Sequence, residues 1–258
     1  QNGSSWLGVP TVGGSHYIAD GWFFQSASGS TANCAVSNVH RDGEPDIDDS
    51  LRVTTSSGDV VGSFSLISQR IAGVQTFAGR EVTVSFKAKC SEDRRLGVEF
   101  GLDFKSATPN ESVVVGNAEL ETTWKKFEFT FQAPDLPDPY AAGTDHHSWL
   151  YFWLEAGDAY NSRTGGIGTF SGAIDIANVQ LEIANRATEF EVRPNYEELL
   201  LVQEYYEKYS GDISCQKAGI TGASDLVGKY VAYGIKKQKT PAISITTNFI
   251  TTPGTYSI

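Results

Sequence analysis

Between residues 50 and 183, apolar and polar residues alternate, and the alternation restarts after each turn-rich break. In RLGVEFGLDF (95–104), Leu96, Val98, Phe100, Leu102 and Phe104 share one parity, while Gly97, Glu99, Gly101, Asp103 and Lys105 share the other. LRVTTSS (51–57) and EVTVSFKAKC (81–90) repeat the pattern, and WKKFEFTFQA (124–133) sets Phe127, Phe129 and Phe131 on one side. A strand sends alternate side chains to opposite faces, so each run predicts a strand with one buried face. SSGD, PDLPDP and NSRTGG read as turns between antiparallel neighbours. One sheet cannot bury so many one-sided strands, and two packed sheets are the expected solution.

Two runs depart from simple alternation. AIDIANVQLEI (173–183) switches parity midway, with Ile174 and Ile176 in one set and Val179, Leu181 and Ile183 in the other. One extra residue near Ala177–Asn178 would keep all five on the core side, which predicts a β-bulge. SWLYFWLE (148–155) is apolar on both parities: Leu150, Phe152 and Leu154 on one, Trp149, Tyr151 and Trp153 on the other. A half-buried strand needs only one such face.

Beyond residue 190 the period changes. NYEELLLVQEYYEKYSG offers Asn195 as a helix cap with Glu198 three residues on, Pro194 at the boundary and Gly211 at the stop. Leu199, Val202, Tyr206 and Tyr209 form one stripe, widened by Leu200, Leu201 and Tyr205, so the helix is expected to pack on two sides. From Asp212 the chain returns to short alternating runs. The predicted organisation is an all-β, antiparallel sandwich over 1–190, a helical connector over 191–211 and a partial C-terminal β region over 212–258.

Composition narrows the partners. The chain has 258 residues and a formal net charge of −11, which disfavours nucleic acid and anionic membrane surfaces. It does not oppose a neutral sugar, and it argues against a strongly anionic polysaccharide unless a local basic patch exists. Cys34, Cys90 and Cys215 form no Cys-x-x-Cys pair, and Cys90 ends an apolar parity as an inert core thiol. No apolar stretch approaches the ~20 residues of a membrane span, and no signal-peptide pattern opens the chain. The absence of methionine leads to the expectation that the chain is part of a longer polypeptide.

The segment VQLEIANRATEFEVRPNYEELLLVQEYYEK (179–208) resembles a segment near the C-termini of bacteriophage tail fibre and tailspike proteins. The resemblance is carried by Val179-Gln180-Leu181-Glu182, Ala187-Thr188-x-Phe190, Arg193-Pro194, Glu198-Leu199 and Gln203-x-Tyr205-Tyr206-x-Lys208. Upstream, IADGWFF (18–24), SLRVTTSSG (50–58), FSLISQRIAGVQTFAGREVTVSFKAKC (64–90) and TTWKKFEFTF (122–131) are similar to the preceding domain of that family, in the same order. That domain looks like a jelly-roll sandwich of the carbohydrate-binding-module type. Val202 replaces a cysteine common in the family, and Asp135–His147 is a longer, Pro- and Asp-rich insertion. The resemblance implies a virion component, usually trimeric, attached to host polysaccharide or lipopolysaccharide and to other tail proteins. In that setting Leu199, Val202, Tyr205, Tyr206 and Tyr209 serve assembly, and Leu150, Phe152 and Leu154 match the core parity. Trp149, Tyr151 and Trp153 then point out of the sandwich.

That outer aromatic row has two readings. Its rings repeat at ~6.5–7 Å, suited to stacking under successive sugars, with Asp145, His147 and Tyr160 as glycan-binding companions and His146, Asn161 and Arg163 nearby. Alternatively it packs on the helix or a neighbouring subunit, and the pattern leans that way. Adjacent histidines on a strand point apart, so His146 and His147 are a poor metal pair. The acidic run Asp42, Glu44, Asp46, Asp48, Asp49 lacks an EF-hand's glycine and terminal glutamate and reads as a solvated loop. Asp20, Asp175 and Glu182 are weak candidates for a structural calcium, and no other cofactor is indicated. Glu155 and Asp158 are noted for catalysis only by location. With no nucleophile elbow, zinc motif, phosphate loop or β-helix repeat, the expected function is non-catalytic attachment. An accessory domain of a glycan-degrading protein and a structural virion connector are the alternatives.

Overall fold

The computed structural model describes residues 14–19, 22–38 and 46–194, together with 196, 197 and 200. The chain divides into two compact units, Gln1–Glu191 and Val192–Ile258. The first carries eleven described strands: β1 (Gly14–Ala19), β2 (Trp22–Ala27), β3 (Thr31–Asn38), β4 (Asp49–Ser56), β5 (Phe64–Ala72), β6 (Glu81–Cys90), β7 (Arg94–Asp103), β8 (Glu111–Leu120), β9 (Lys125–Gln132), β10 (His147–Ala156) and β11 (Gly172–Glu182). They form two antiparallel sheets, ordered β1-β2-β5-β10-β7-β8 and β3-β4-β11-β6-β9. The fold is a jelly-roll β-sandwich. In the second unit Tyr196, Glu197 and Leu200 are helical; the rest of the predicted helix, with Leu199, Val202, Tyr205, Tyr206 and Tyr209, and the C-terminal β region lie outside the described residues.

The core lies between the sheets, and parity fills it. Leu96, Val98, Phe100, Leu102 and Phe104 of β7 and its end join Leu150, Phe152 and Leu154 of β10 against Val82, Val84, Phe86 and Ala88 of β6. Phe86 meets Phe152 edge-on across the two sheets at 5.0 Å and stacks on Phe127 at 5.5 Å. Each fully buried side chain of this kind contributes about 1.5–3 kcal/mol. Cys90 belongs to this core, as its parity predicts, and burial pushes the thiol of Cys34, on β3 of the same sheet, up to about 12.

β11 carries the expected bulge. Its register with β6 shifts between Ala177 and Gln180, with Asn178 in the left-handed region at φ 51°. Ile174 and Ile176 enter the core, and Val179 and Leu181 pack against it from beyond the bulge. Ile183 does not follow them. It is 50% exposed, because the register has by then reached the end of the strand.

Candidate glycan-binding face

β10 runs down the middle of the six-stranded sheet, between β5 and β7. Its even residues face the core, so its odd residues, His147, Trp149, Tyr151 and Trp153, stand on the outer face, as the parity argument expects. They are not left in water, however. Trp149 is 5% exposed and Trp153 1%, while Tyr151 is half-buried.

The sequence of β7 makes this burial possible. Register pairs Trp149 with Gly101, Tyr151 with Glu99 and Trp153 with Gly97. Each tryptophan lies across from a residue without a side chain, so the indoles lean over β7. A Cβ on Gly101 would sit 2.2 Å from Trp149 Cζ2. The Trp149 ring then stacks on Tyr151 with centroids 3.9 Å apart, and Tyr151 meets Trp153 edge-on at 6.2 Å.

The remaining cover comes from the chain after β10. The 3-10 turn Asp158–Tyr160 and the four-residue helix α1 (Asn161–Thr164) end at Gly165 in the left-handed region (φ 66°). NSRTGG, expected to be a plain turn, is therefore a helical turn with a glycine stop. It returns Tyr160 onto Trp153 at 5.4 Å and onto Phe64 at 5.0 Å. Leu66, Trp153 and Ala156 form a second small core here, with Phe64, Tyr151, Tyr160 and Ile167 around it. The row is thus packed mainly by its own chain. Trp149 and Trp153 keep almost no surface for either a neighbouring subunit or a sugar, and Tyr151 is the ring of the row that stays partly open.

One fully buried carboxylate ties the layer together. Glu99 accepts the Trp153 indole N–H at 2.9 Å and a two-pronged pair from Arg163 Nε and Nη2, both at 2.9 Å. Arg163 lies over the rings of Trp153, Trp149 and Tyr151, at 4.9, 5.8 and 6.0 Å. A buried carboxylate is costly unless paired and fully hydrogen-bonded, and here it is both. Arg94 and Arg95 reach the carbonyls of Gly165, Gly166 and Ile167 and hold the returning loop.

What remains open is a depression of about 420 Å³ at Tyr151, edged by Gln25, Asp103, Asn110, Ser112, Tyr160 and Arg163. Ring faces beside amide, hydroxyl and carboxylate groups suit a sugar, whose C–H faces stack and whose hydroxyls hydrogen-bond. Burial raises the Tyr151 hydroxyl above its ordinary value, so it stays protonated as donor and acceptor. Burial pushes the Asp103 carboxyl up, but hydrogen bonds and charge from Lys105 outweigh it and hold the group below the usual range.

The other residues singled out from the sequence separate into different places. His147 is buried; its Nδ1 donates to the Asp145 carbonyl at 2.9 Å, and its Nε2 lies 3.8 Å from Asp103. Burial lowers its pKa, which leaves it neutral. His146 Nδ1 instead accepts the Val74 N–H at 3.1 Å, so the two histidines do point apart. Asp145 is exposed, and its backbone carbonyl accepts from His147 at the end of the row. Glu155 is fully buried opposite Ser65 after a register shift in β10, and accepts from Ser57 and Ser65 at 3.0 and 3.1 Å. Asp158 is exposed and accepts from Asn161 at 3.1 Å, so the two carboxylates noted by location occupy different environments.

The calcium candidates are likewise occupied by the protein. Asp175 takes a two-pronged pair from Arg52 at 2.7 and 2.8 Å, and Glu182 accepts from Thr188 and Gln180. Asp20 lies outside the described residues. Among the described residues no group of three or more His, Cys, Asp or Glu is arranged to hold a metal ion. A second depression of about 490 Å³ lies by Glu92, Arg94, Glu119 and Phe170, but its one ring, Phe170, is buried beneath Arg94.

Comparison with known proteins adds the following. A family model described as a carbohydrate binding domain matches residues 19–156. No curated protein matches the chain. Among solved structures, tailspike protein 4 of bacteriophage CBA120 (enzymatically active domain) aligns at 17% identity and a TM-score of 0.41, covering 65% of this chain but only 20% of that one. A family 11 carbohydrate-binding module from Clostridium thermocellum aligns at 12% identity and 0.43, covering 67% and 96%. The N-terminal cellulose-binding domain of a Cellulomonas fimi β-1,4-glucanase aligns at 16% and 0.41, covering 66% and 97%.

Proposed function

The chain belongs to the carbohydrate-binding domain family, and from that membership we propose that it holds a glycan, without cleaving it, against the outer face of the six-stranded sheet. The observation that carries this reading is the half-buried Tyr151 ring, stacked on Trp149 and open to a depression edged by Gln25, Asn110 and Ser112. The buried tryptophans serve as its foundation, and Tyr151 is the ring that touches the sugar. A glycan array with the wild-type chain and Tyr151→Ala tests this. The variant is expected to lose the bound glycans while keeping a cooperative unfolding transition. Unchanged binding by the variant would move the site elsewhere.

At a finer level the resemblance over 179–208 supports a role in a virion, as the attachment part of a tail fibre or tailspike. In that role the chain forms a homotrimer, adheres to host polysaccharide or lipopolysaccharide, and contacts other tail proteins. The isolated chain should then compete with phage particles for adsorption, and light scattering should return a trimer at micromolar concentration. A monomer would count against the assembly. The family membership fits equally an accessory domain of a larger glycan-degrading protein, and release of reducing sugar by the full-length protein would favour that role.

A further inference from the structure

We infer that the glycan held on this face carries an anionic substituent, a carboxylate or a phosphate, received by Arg70 and Arg163 from opposite flanks of Tyr151. The inference rests on the reading of this face as the glycan site. β5 and β7 flank β10, and register sets Arg70 of β5 beside Trp149. Arg70 shares its parity with Phe64 and Leu66, which pack in the outer layer, so it too stands on the outer face. It is exposed, its guanidinium lies 4.2 Å over the ring of Phe23, and no carboxylate among the described residues pairs with it. A guanidinium lying on a buried ring keeps its edge free, and that planar edge matches a carboxylate or phosphate in two parallel hydrogen bonds.

On the opposite flank Arg163, which lines the depression, uses Nε and Nη2 on Glu99, so Nη1 is not engaged by that carboxylate. The negative charges of the face are already answered: Glu99 by Arg163, and Asp103 by Lys105 at 2.8 Å. Asp158, on the turn after β10, accepts from the neutral amide of Asn161, and His147 is neutral. Arg70 is thus a guanidinium on this face that no carboxylate among the described residues pairs with, in a chain whose formal net charge is −11. An acidic chain repels an anionic polymer at long range, so a local guanidinium with no carboxylate partner among the described residues is where such a ligand would gain.

The test is an array in which each acidic glycan stands beside its carboxyl-reduced or dephosphorylated counterpart, probed with wild type, Arg70→Gln and Tyr151→Ala. The wild type is expected to bind acidic members about tenfold more tightly than their neutralised partners, and Arg70→Gln to remove that difference with an unchanged melting curve. Sensitivity to reduction identifies a carboxylate; sensitivity to dephosphorylation identifies a phosphate. Equal binding of acidic and neutralised partners, unaffected by Arg70→Gln but lost in Tyr151→Ala, overturns the charge inference and leaves the glycan site standing. So does an Arg70→Gln variant that weakens both partners equally. If the wild type binds no glycan of either kind, both fall.

Discussion

Gly101 shows how a single missing side chain sets the aromatic face. A Cβ there would approach Trp149 Cζ2 to 2.2 Å and the Glu111 carbonyl oxygen to 2.7 Å, so both the indole and the next strand stand in its way. Gly101→Ala should lower stability by about 1–3 kcal/mol in chemical denaturation, because the ring must leave the face it packs on. Trp153→Ala should cost about 3–5 kcal/mol, since the ring is buried and its N–H anchors Glu99. A variant that melted like wild type would show that the second core carries little weight. His147 adds a pH dependence. Burial lowers its pKa below the ordinary 6.5, so the unfolded chain takes up the proton first as pH falls. Its contribution is fully present above the ordinary value and is lost as pH drops from there toward the folded value. His147→Gln should remove that part of the slope in denaturation midpoints measured between pH 7 and 5.

At the scale of elements, the β11 bulge decides which residues the core receives. Asn178 occupies the left-handed region and its amide donates to the Asp46 carbonyl at 2.7 Å. Deleting Asn178 would turn Val179 and Leu181 to solvent, and is expected to abolish cooperative unfolding. Asn178→Gly should cost under about 1 kcal/mol, since glycine tolerates the backbone. The bulge was legible in the sequence because two apolar sets of opposite parity can share one buried face only if a residue is inserted between them. The strands of alternating sequence were legible from the same period, β6 to the residue. β8 was not: Val113 and Val115 pack on the core while Val114 is 42% exposed, and a register shift at its partner Val98 blurs the period. The helical turn at 161–164 was also hidden, because four residues are too few for a helical period. The outward parity of Trp149 and Trp153 could be read; their burial depended on Gly97 and Gly101, far earlier in the chain, and on a loop that returns. Glu99 was visible only as a polar residue on an outer face, and nothing local announced its pairing with Arg163.

For the molecule as a whole, two sheets divide the work: one closes the core and the other presents a face. That face is assembled from distant parts of the chain. The hydrogen bond from Trp153 to Glu99 spans 54 residues, and that from Arg163 to Glu99 spans 64. Loop-closure entropy must be met before such contacts return anything, so chains of this topology fold in milliseconds to seconds rather than microseconds. The central position of β10 carries this further. No part of the tryptophan layer can form until β5, β7 and the returning loop have all arrived, so indole emission should change with the last folding phase rather than the first. Stopped-flow refolding followed by tryptophan fluorescence should lag the far-ultraviolet signal of the sheets. A newly made chain would then gain the face proposed to hold the glycan only once the rest of the sandwich is complete.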